Sequence, residues 1–263
     1  MILSEEQVLI RDTARAFARE RLAPGAEKRD RDHAFPAAEL AEMGELGFLG
    51  MVVPPDHDGA GTDYVSYALA LMEIAWAEGA TSTIMSVHNS VGCMPILTFG
   101  SAAQKQTYLR PMARGESLGC FCLTEPEAGS DAAAIKTRAV KDGQSYVLNG
   151  SKQFITSGRN AKVAIVFAVT DPAAGKKGLS AFIVPTDSPG WHVARVEDKL
   201  GQHASDTCQI ILDDLRVPAA NLLGSEGEGL KIALSNLEGG RLGIAAQSVG
   251  MAQAALDHAS AYP

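Results

Sequence analysis

Residues 118–131, "LGCFCLTEPEAGSD", are where the chain changes character. The stretch opens as a buried strand would and then breaks into Thr-Glu-Pro, a Gly-Ser pair and an Asp. Gly and Pro suffice to turn a strand end, yet this turn carries many more hydrogen-bonding groups than a turn needs. Upstream, residues 1–117 read as helical. Ser4 with Gln7 makes a capping box ahead of Val8, Leu9, Ala16 and Phe17. Leu40, Met43 and Leu46 lead to Gly47, which reads as a helix end. Val65, Leu69, Met72 and Trp76 form a helical stripe expected to be core packing. "PPDHDGAGTD" (54–63) reads as the loop between helices.

Downstream, short strand candidates follow one another: "LGCFCL", "AIKTRAV", "YVLN", "KQFIT", "VAIVFAVT", "LSAFIV", "WHVARV" and "TCQIIL". Asp142-Gly143 and Asn149-Gly150 are hairpin-turn dipeptides between such runs. Strands this short and this evenly spaced predict an antiparallel sandwich or barrel rather than a parallel βαβ sheet. From Glu226 a helical pattern returns and runs to Tyr262. The fold class is therefore α+β: an N-terminal all-helical domain (1–117), a middle antiparallel β-barrel or sandwich domain (118–225), and the start of a truncated C-terminal helical domain (226–263). A lone amphipathic helix has little to pack against, so the rest of that third domain is expected to lie beyond "DHASAYP" or in another chain.

The 263 residues carry a net charge of -8, which leaves no basic surplus for nucleic acid but allows a local site for an anionic small ligand. No apolar run approaches the roughly 20 residues of a membrane span. The N-terminus has no signal-peptide apolar core, so the expected location is cytoplasmic. Cys120 and Cys122 fall on one face of a strand and no second close pair completes a zinc site. With Cys93 and Cys208 they read as buried, reduced thiols. The histidines at 33, 57, 88, 192, 203 and 258 are dispersed, and no metal is expected. "LGSEGEG" (223–229) lacks the ending of a phosphate-cradling loop and reads as a strand-to-helix connector.

Three segments carry chemistry when read together: "CFCLTEPEAGSD", "YVLNGSKQFITSG" (146–158) and "LEGGRLGIAAQSVGMAQAALDHA" (237–259). The first two place a hydroxyl, Thr124 or Thr156, close to an apolar or aromatic residue, Leu123 or Phe154. Such a shelf suits a flat, largely apolar ligand with polar edges.

The blocks "LTEPEAGSD", "LNGSKQFIT", "KLGQHASDT", "VPAANLLGSEGEG" and "LEGGRLGIAAQ", in that order, resemble the acyl-CoA dehydrogenase family, with a texture nearest its short-chain and branched-chain members. The resemblance implies bound FAD, an acyl-CoA substrate, an electron-transfer flavoprotein-type acceptor and a homo-oligomer. It implies flavin contacts at Phe121, Cys122, Leu123, Thr124 and Ser130 on one side, and at Phe154, Ile155 and Thr156 on the other. Acyl-CoA contacts are implied at Ser130 and at Glu238, Gly239, Gly240 and Arg241. Many relatives carry Trp at the position of Phe154, so stacking is kept and an indole N–H is lost. The implied reaction is α,β-dehydrogenation, in which a carboxylate removes the α-proton while the β-carbon gives a hydride to the flavin. Most members carry that carboxylate later than residue 263. A minority carry it immediately before the Arg of the "GGR"-like motif, where this chain has Gly240. Glu238 lies three residues before Arg241, in range of a salt bridge or a CoA-positioning role, and Glu125 reads as structural. An acyl-CoA oxidase or flavin monooxygenase on the same scaffold, or a non-catalytic partner chain, are the alternatives.

Overall fold

The computed structural model describes residues 2–262, so the outermost residues of the first and third expected domains lie outside it. Helix α1 (Glu5–Phe17) starts at the expected capping box, with Gln7 N–H donating to Ser4 Oγ at 3.2 Å. A π-helical turn leads into α2 (Ala23–Asp32), and α3 (Ala37–Glu45) ends before Gly47 at φ +78°. Then come α4 (Tyr64–Ala77), α5 (Gly79–Val87), α6 (Met94–Phe99), and the short α7 (Ala102–Gln104) and α8 (Arg110–Ala113). The expected stripe on α4 is only half-buried; its buried face is Tyr67, Ala70, Leu71 and Ile74. The reason is that α4 is packed from two sides, by α1 and by the last helix, which leaves no polar face to define a period.

The strands are β1 (Gly119–Cys122), β2 (Arg138–Asp142), β3 (Ser145–Thr156), β4 (Val163–Val169), β5 (Leu179–Pro185), β6 (Trp191–Val196), β7 (Thr207–Pro218) and β8 (Leu222–Leu223). They form one sheet in the order β6-β7-β3-β2-β4-β5-β8, with β1 beside β4. Only Arg138↔Val169 joins β2 to β4, so the sheet folds there into two facing halves, sandwich-like and not a closed barrel. The expected antiparallel pairing holds except at β4, which lies parallel to both β1 and β2. β1 arrives from the helices, and the whole β2–β3 hairpin separates it from β4; a connection that long permits parallel pairing.

Strand β4 shows why "VAIVFAV" reads as an unbroken apolar run. Val163, Ile165 and Phe167 pack with Ile96, Leu109, Met112 and Ile232 of the helices. Ala164, Val166 and Ala168 face the other half-sheet, against Leu148, Ile155 and Ile210. A strand covered on both faces has no polar alternation.

Asp142-Gly143 forms the expected hairpin between β2 and β3, with Gly143 at φ +59°. Asn149-Gly150 does not: "YVLN" and "KQFIT" are one strand with a register shift at this point. A Cβ at Gly150 would lie 2.8 Å from Thr137 Cα, so glycine is required there by close approach, not by a turn. Asn149 instead exchanges side-chain bonds with Asp214 of β7, at 2.9 and 2.8 Å. The "AIKTRAV" strand begins only at Arg138, because the amides of Lys136 and Thr137 are given to Glu125.

The last helix, α9 (Gly229–Ala261), has more to pack against than expected. It lies along α4 and α5, with Gln247 Nε2 donating to Gly79 O and Ser82 Oγ at 2.8 and 2.7 Å. Trp76 Nε1 donates to Asp257 at 2.8 Å near its far end. Leu234, Leu242, Val249 and Leu256 remain exposed on its other side.

Candidate active site

β1 delivers its residues alternately to two cores. Cys120 and Cys122 point between the half-sheets and are fully buried, while Phe121 packs edge-on against Phe167 at 4.9 Å toward the helices. Leu123 is also buried. Beyond it the chain turns, and Glu125 and Ala128 exchange backbone hydrogen bonds at 3.1 Å. Gln153 N–H donates to Thr124 O at 2.9 Å, which draws the end of β3 alongside the start of that turn.

The decisive residue follows. Phe154 has φ +58° and is 63% exposed, although its neighbours Gln153 and Ile155 are buried. A bulky residue in the left-handed region is strained and persists only where the surroundings over-determine it. The consequence is an aromatic ring lifted out of the sheet. Thr124 and Thr156 flank this region half-buried, and Ser130 stands exposed on the turn. Glu125 and Asp131 of the turn find partners, whereas the hydroxyls of Thr124, Ser130 and Thr156 find none among the described residues. An exposed aromatic ring on a strand end that is tied to Thr124 and carries the Thr156 hydroxyl two residues on suits a flat heteroaromatic group. Of the expected flavin contacts, the side chains of Phe154, Thr124, Thr156 and Ser130 are open to a ligand and Phe121 is partly so. Cys122, Leu123 and Ile155 have only backbone to offer.

On the helical side a cleft of about 530 Å³ opens between α9 and the segment Ser86–Val91. Leu237, Gly240, Arg241 and Ile244 form one wall, and Ser86, Val87, Ser90 and Val91 the other. A smaller 120 Å³ pocket continues past Ser90 to Gly239 and Asn236. No carboxylate of the described residues lines either space. Glu238 and Arg241 are both exposed, and the salt bridge within their reach is not formed among the described residues.

Sequence reading missed the Ser86–Val91 wall. Its signal was a run of small and polar residues, "SVHNSVGC", inside an otherwise apolar helical region. In the fold His88–Cys93 is a π-helical stretch, buried throughout. Such a widened turn re-aims side chains and is frequent at functional sites. His88 fixes it to β1: Gly119 N–H donates to His88 Nδ1 at 3.0 Å, so Nε2–H donates to Met112 O, also 3.0 Å. Burial pushes the His88 pKa down to about 4, so the ring is neutral. The same segment thus touches the strand that leads to the shelf and lines the cleft.

A larger cavity of about 620 Å³ lies elsewhere, between His33, Phe35, Arg159, Asn160 and the Val196–Asp206 loop. His33 and His203, far apart in sequence, stack there at 4.3 Å, with Asp198 nearby. Both ring nitrogens of His203 are engaged, by Asp30 Oδ2 at 3.1 Å and Lys199 O at 2.6 Å, and stacked rings do not converge their lone pairs on one ion. The four cysteines are buried and unpaired. No described helix is long and apolar enough to cross a membrane.

Comparison with known proteins finds family matches in three stretches of the chain. The acyl-CoA dehydrogenase N-terminal, middle and C-terminal domain profiles match residues 4–116, 120–215 and 227–263. An acyl-CoA dehydrogenase of Bacillus subtilis is 48% identical over all of this chain, which spans 69% of that protein. The mouse mitochondrial short-chain specific acyl-CoA dehydrogenase is 49% identical over 99% of the chain, which spans 63% of it. Butyryl-CoA dehydrogenase from Megasphaera elsdenii superposes with a TM-score of 0.97 at 40% identity, over 100% of this chain and 70% of that one. Fold and relatives define a flavin-linked acyl-CoA oxidoreductase scaffold. The chain belongs to the acyl-CoA dehydrogenase family.

Proposed function

We propose that this chain serves flavin-dependent α,β-dehydrogenation of a short or branched acyl-CoA thioester to the 2-enoyl-CoA. The observation that carries the reading is Phe154, forced out of its strand beside the turn at Thr124, on a sheet whose β1 is pinned to the wall of an apolar cleft. Bound FAD would supply the acceptor for the hydride that leaves the β-carbon. Phe154 would meet the ring face, and Thr124 and Thr156 would bond its rim. Ser130 would reach both flavin and the substrate's tail. Glu238, Gly239, Gly240 and Arg241 would flank the acyl-CoA, with Arg241 offering the charge for its anionic part. The cleft would exclude water around the acyl chain, which strengthens any hydrogen bond to the thioester oxygen as enolate character develops.

The described residues supply no carboxylate to that cleft, so the base is proposed to come from elsewhere. Such a base needs a raised pKa, set by desolvation, to compete for an α-proton. The wider proposal includes an electron-transfer flavoprotein-type acceptor, a homo-oligomer, a cytoplasmic location and domains at 1–117, 118–225 and 226–263. The matched profiles and the reduced cysteines support the last two.

The test is anaerobic. The FAD-saturated protein is mixed with butyryl-CoA or 2-methylbutanoyl-CoA and its visible spectrum followed. Residues 1–263 should show a perturbed flavin band without bleaching, and the chain joined to a base-bearing remainder should bleach. Bleaching by residues 1–263 alone would refute the assignment of the base; no response in either form would refute the substrate class. Peroxide formation on admitting oxygen would favour an oxidase.

A further inference from the structure

We propose that Lys152 is a positioning residue: through a buried ion pair with Glu125 it holds the Thr124–Asp131 turn and the strained Phe154 in the shape of the shelf. The proposal rests on the reading of that shelf as the flavin site.

Lys152 is fully buried, an unusual place for a lysine, and lies two residues before Phe154. Its Nζ donates to Glu125 Oε1 at 2.8 Å and to Leu123 O at 3.2 Å. Glu125, also buried, accepts from Thr137 N–H at 3.0 Å on Oε1 and from Lys136 N–H at 2.6 Å on Oε2. One charge pair therefore joins three segments: the exit of β1, the entry to β2 and the far end of β3.

The geometry explains why this place holds charges. β1 ends at Cys122 and β2 begins at Arg138, so the Leu123 carbonyl and the Lys136 and Thr137 amides have no strand partner. Buried backbone groups must be paired. A carboxylate can take several donors at once and an ammonium can give several, so one ion pair serves all three orphans. Burial pulls the Lys152 pKa down, against the opposing charge of Glu125. For Glu125, burial is outweighed by Lys152 and by the bonds from Thr137 and Lys136, which hold its carboxyl below the usual range.

The effect on the shelf is mechanical. Lys152 and Ile155 anchor the chain on either side of Phe154, and Gln153 is tied to Thr124. Between such anchors the left-handed backbone at Phe154 cannot relax into the strand. Without Lys152, Leu123 O loses its partner and Glu125 becomes an unpaired buried anion.

Hydrogen exchange and FAD titration test this on three variants. Lys152→Met removes the ammonium at similar volume. Glu125→Gln with Lys152→Met removes both charges and keeps the test open should the single variant not fold. Arg216→Ala, which breaks an exposed pair with Asp142 in the same sheet, is the control. In the double variant the turn amides should exchange roughly ten-fold faster or more, with β4 amides unchanged and FAD affinity weakened by a similar factor; Arg216→Ala should alter neither. Unchanged turn protection, equal loss across β4, or a loosened turn with unaltered FAD affinity would each overturn the proposal. Phe154→Ala separates the two readings. If it weakens FAD and the Lys152 variants do not, only the positioning role fails. If none of them affects FAD, the flavin reading fails.

Discussion

The seat of α9 on α4, α5 and the π-helical stretch beyond them involves three glycines whose surroundings differ, and the differences can be put into numbers. A Cβ at Gly240 would meet Ser90 Oγ at 3.6 Å and Val91 Cγ1 at 3.8 Å, ordinary contacts in the cleft. At Gly250 it would lie 2.9 Å from Ala75 Cβ and 3.0 Å from the Met72 carbonyl carbon, and closer still to that carbonyl's oxygen. At Gly243 it would press on the flexible Ser86 side chain, with Ser86 Cβ at 3.2 Å. Replacing Gly by Ala inside a helix gains about 0.5–1 kcal/mol from backbone entropy. Overpacking against immovable backbone costs about 1–3 kcal/mol. Gly240→Ala should therefore raise stability by about 0.5–1 kcal/mol, Gly243→Ala should fall near zero, and Gly250→Ala should lose about 1–2 kcal/mol. In a chain this size those energies correspond to roughly +1 to +4 °C and −2 to −8 °C in Tm. Calorimetry on the three variants reads the order directly. Gly250→Ala at or above the parent would show that α9 does not sit on α4 as described, and Gly240→Ala below it that the cleft beside Ser90 has no such room.

Three further outcomes are expected. Phe154→Gly should relieve the positive φ and stabilise the fold by up to about 1 kcal/mol while weakening FAD binding; denaturant melts and a flavin titration check the two effects separately. His203, whose pKa is raised by its bond to Asp30 and by Lys199 O, should tether the Val196–Asp206 loop to α2. That contribution is complete below the ordinary His value of about 6.5 and is lost as pH rises through the raised folded value. Protection of the loop amides, corrected for the intrinsic rise of exchange with pH, should therefore fall as pH passes through that raised value, and Asp30→Asn should flatten the profile. Gly240→Glu, for which the cleft has room, should put a carboxylate where a minority of the family carry the base, and flavin bleaching by butyryl-CoA in residues 1–263 alone would register it.

How far the sequence could be read depended on whether a signal was local. The capping box at Ser4, the helix stop at Gly47 and the Asp142-Gly143 hairpin are each set by neighbouring residues, and each is found as expected. Asn149-Gly150 carries the same dipeptide signal as a hairpin, but its glycine answers to Thr137, a contact that only the folded sheet creates. The parallel lie of β1 on β4 is equally invisible, since no short connection encodes it. On the site, Phe154 and the hydroxyls were legible from their types, but the positive φ that exposes Phe154 was not. The cleft wall at Ser86–Val91, where α5 passes into the π-helical stretch, and the Lys152–Glu125 pair arise from segments that meet only in three dimensions. Lys152 reads in sequence as an ordinary polar position of a strand.

The central claim is that a flat cofactor lies on the Phe154 shelf and not in the larger cavity beside His203. Titrating isotope-labelled protein with FAD and following backbone amide shifts tests it even at weak affinity. Changes should concentrate at Thr124–Ser130 and at Phe154–Thr156. Changes centred instead on His33, Arg159 and the Val196–Asp206 loop would contradict the account.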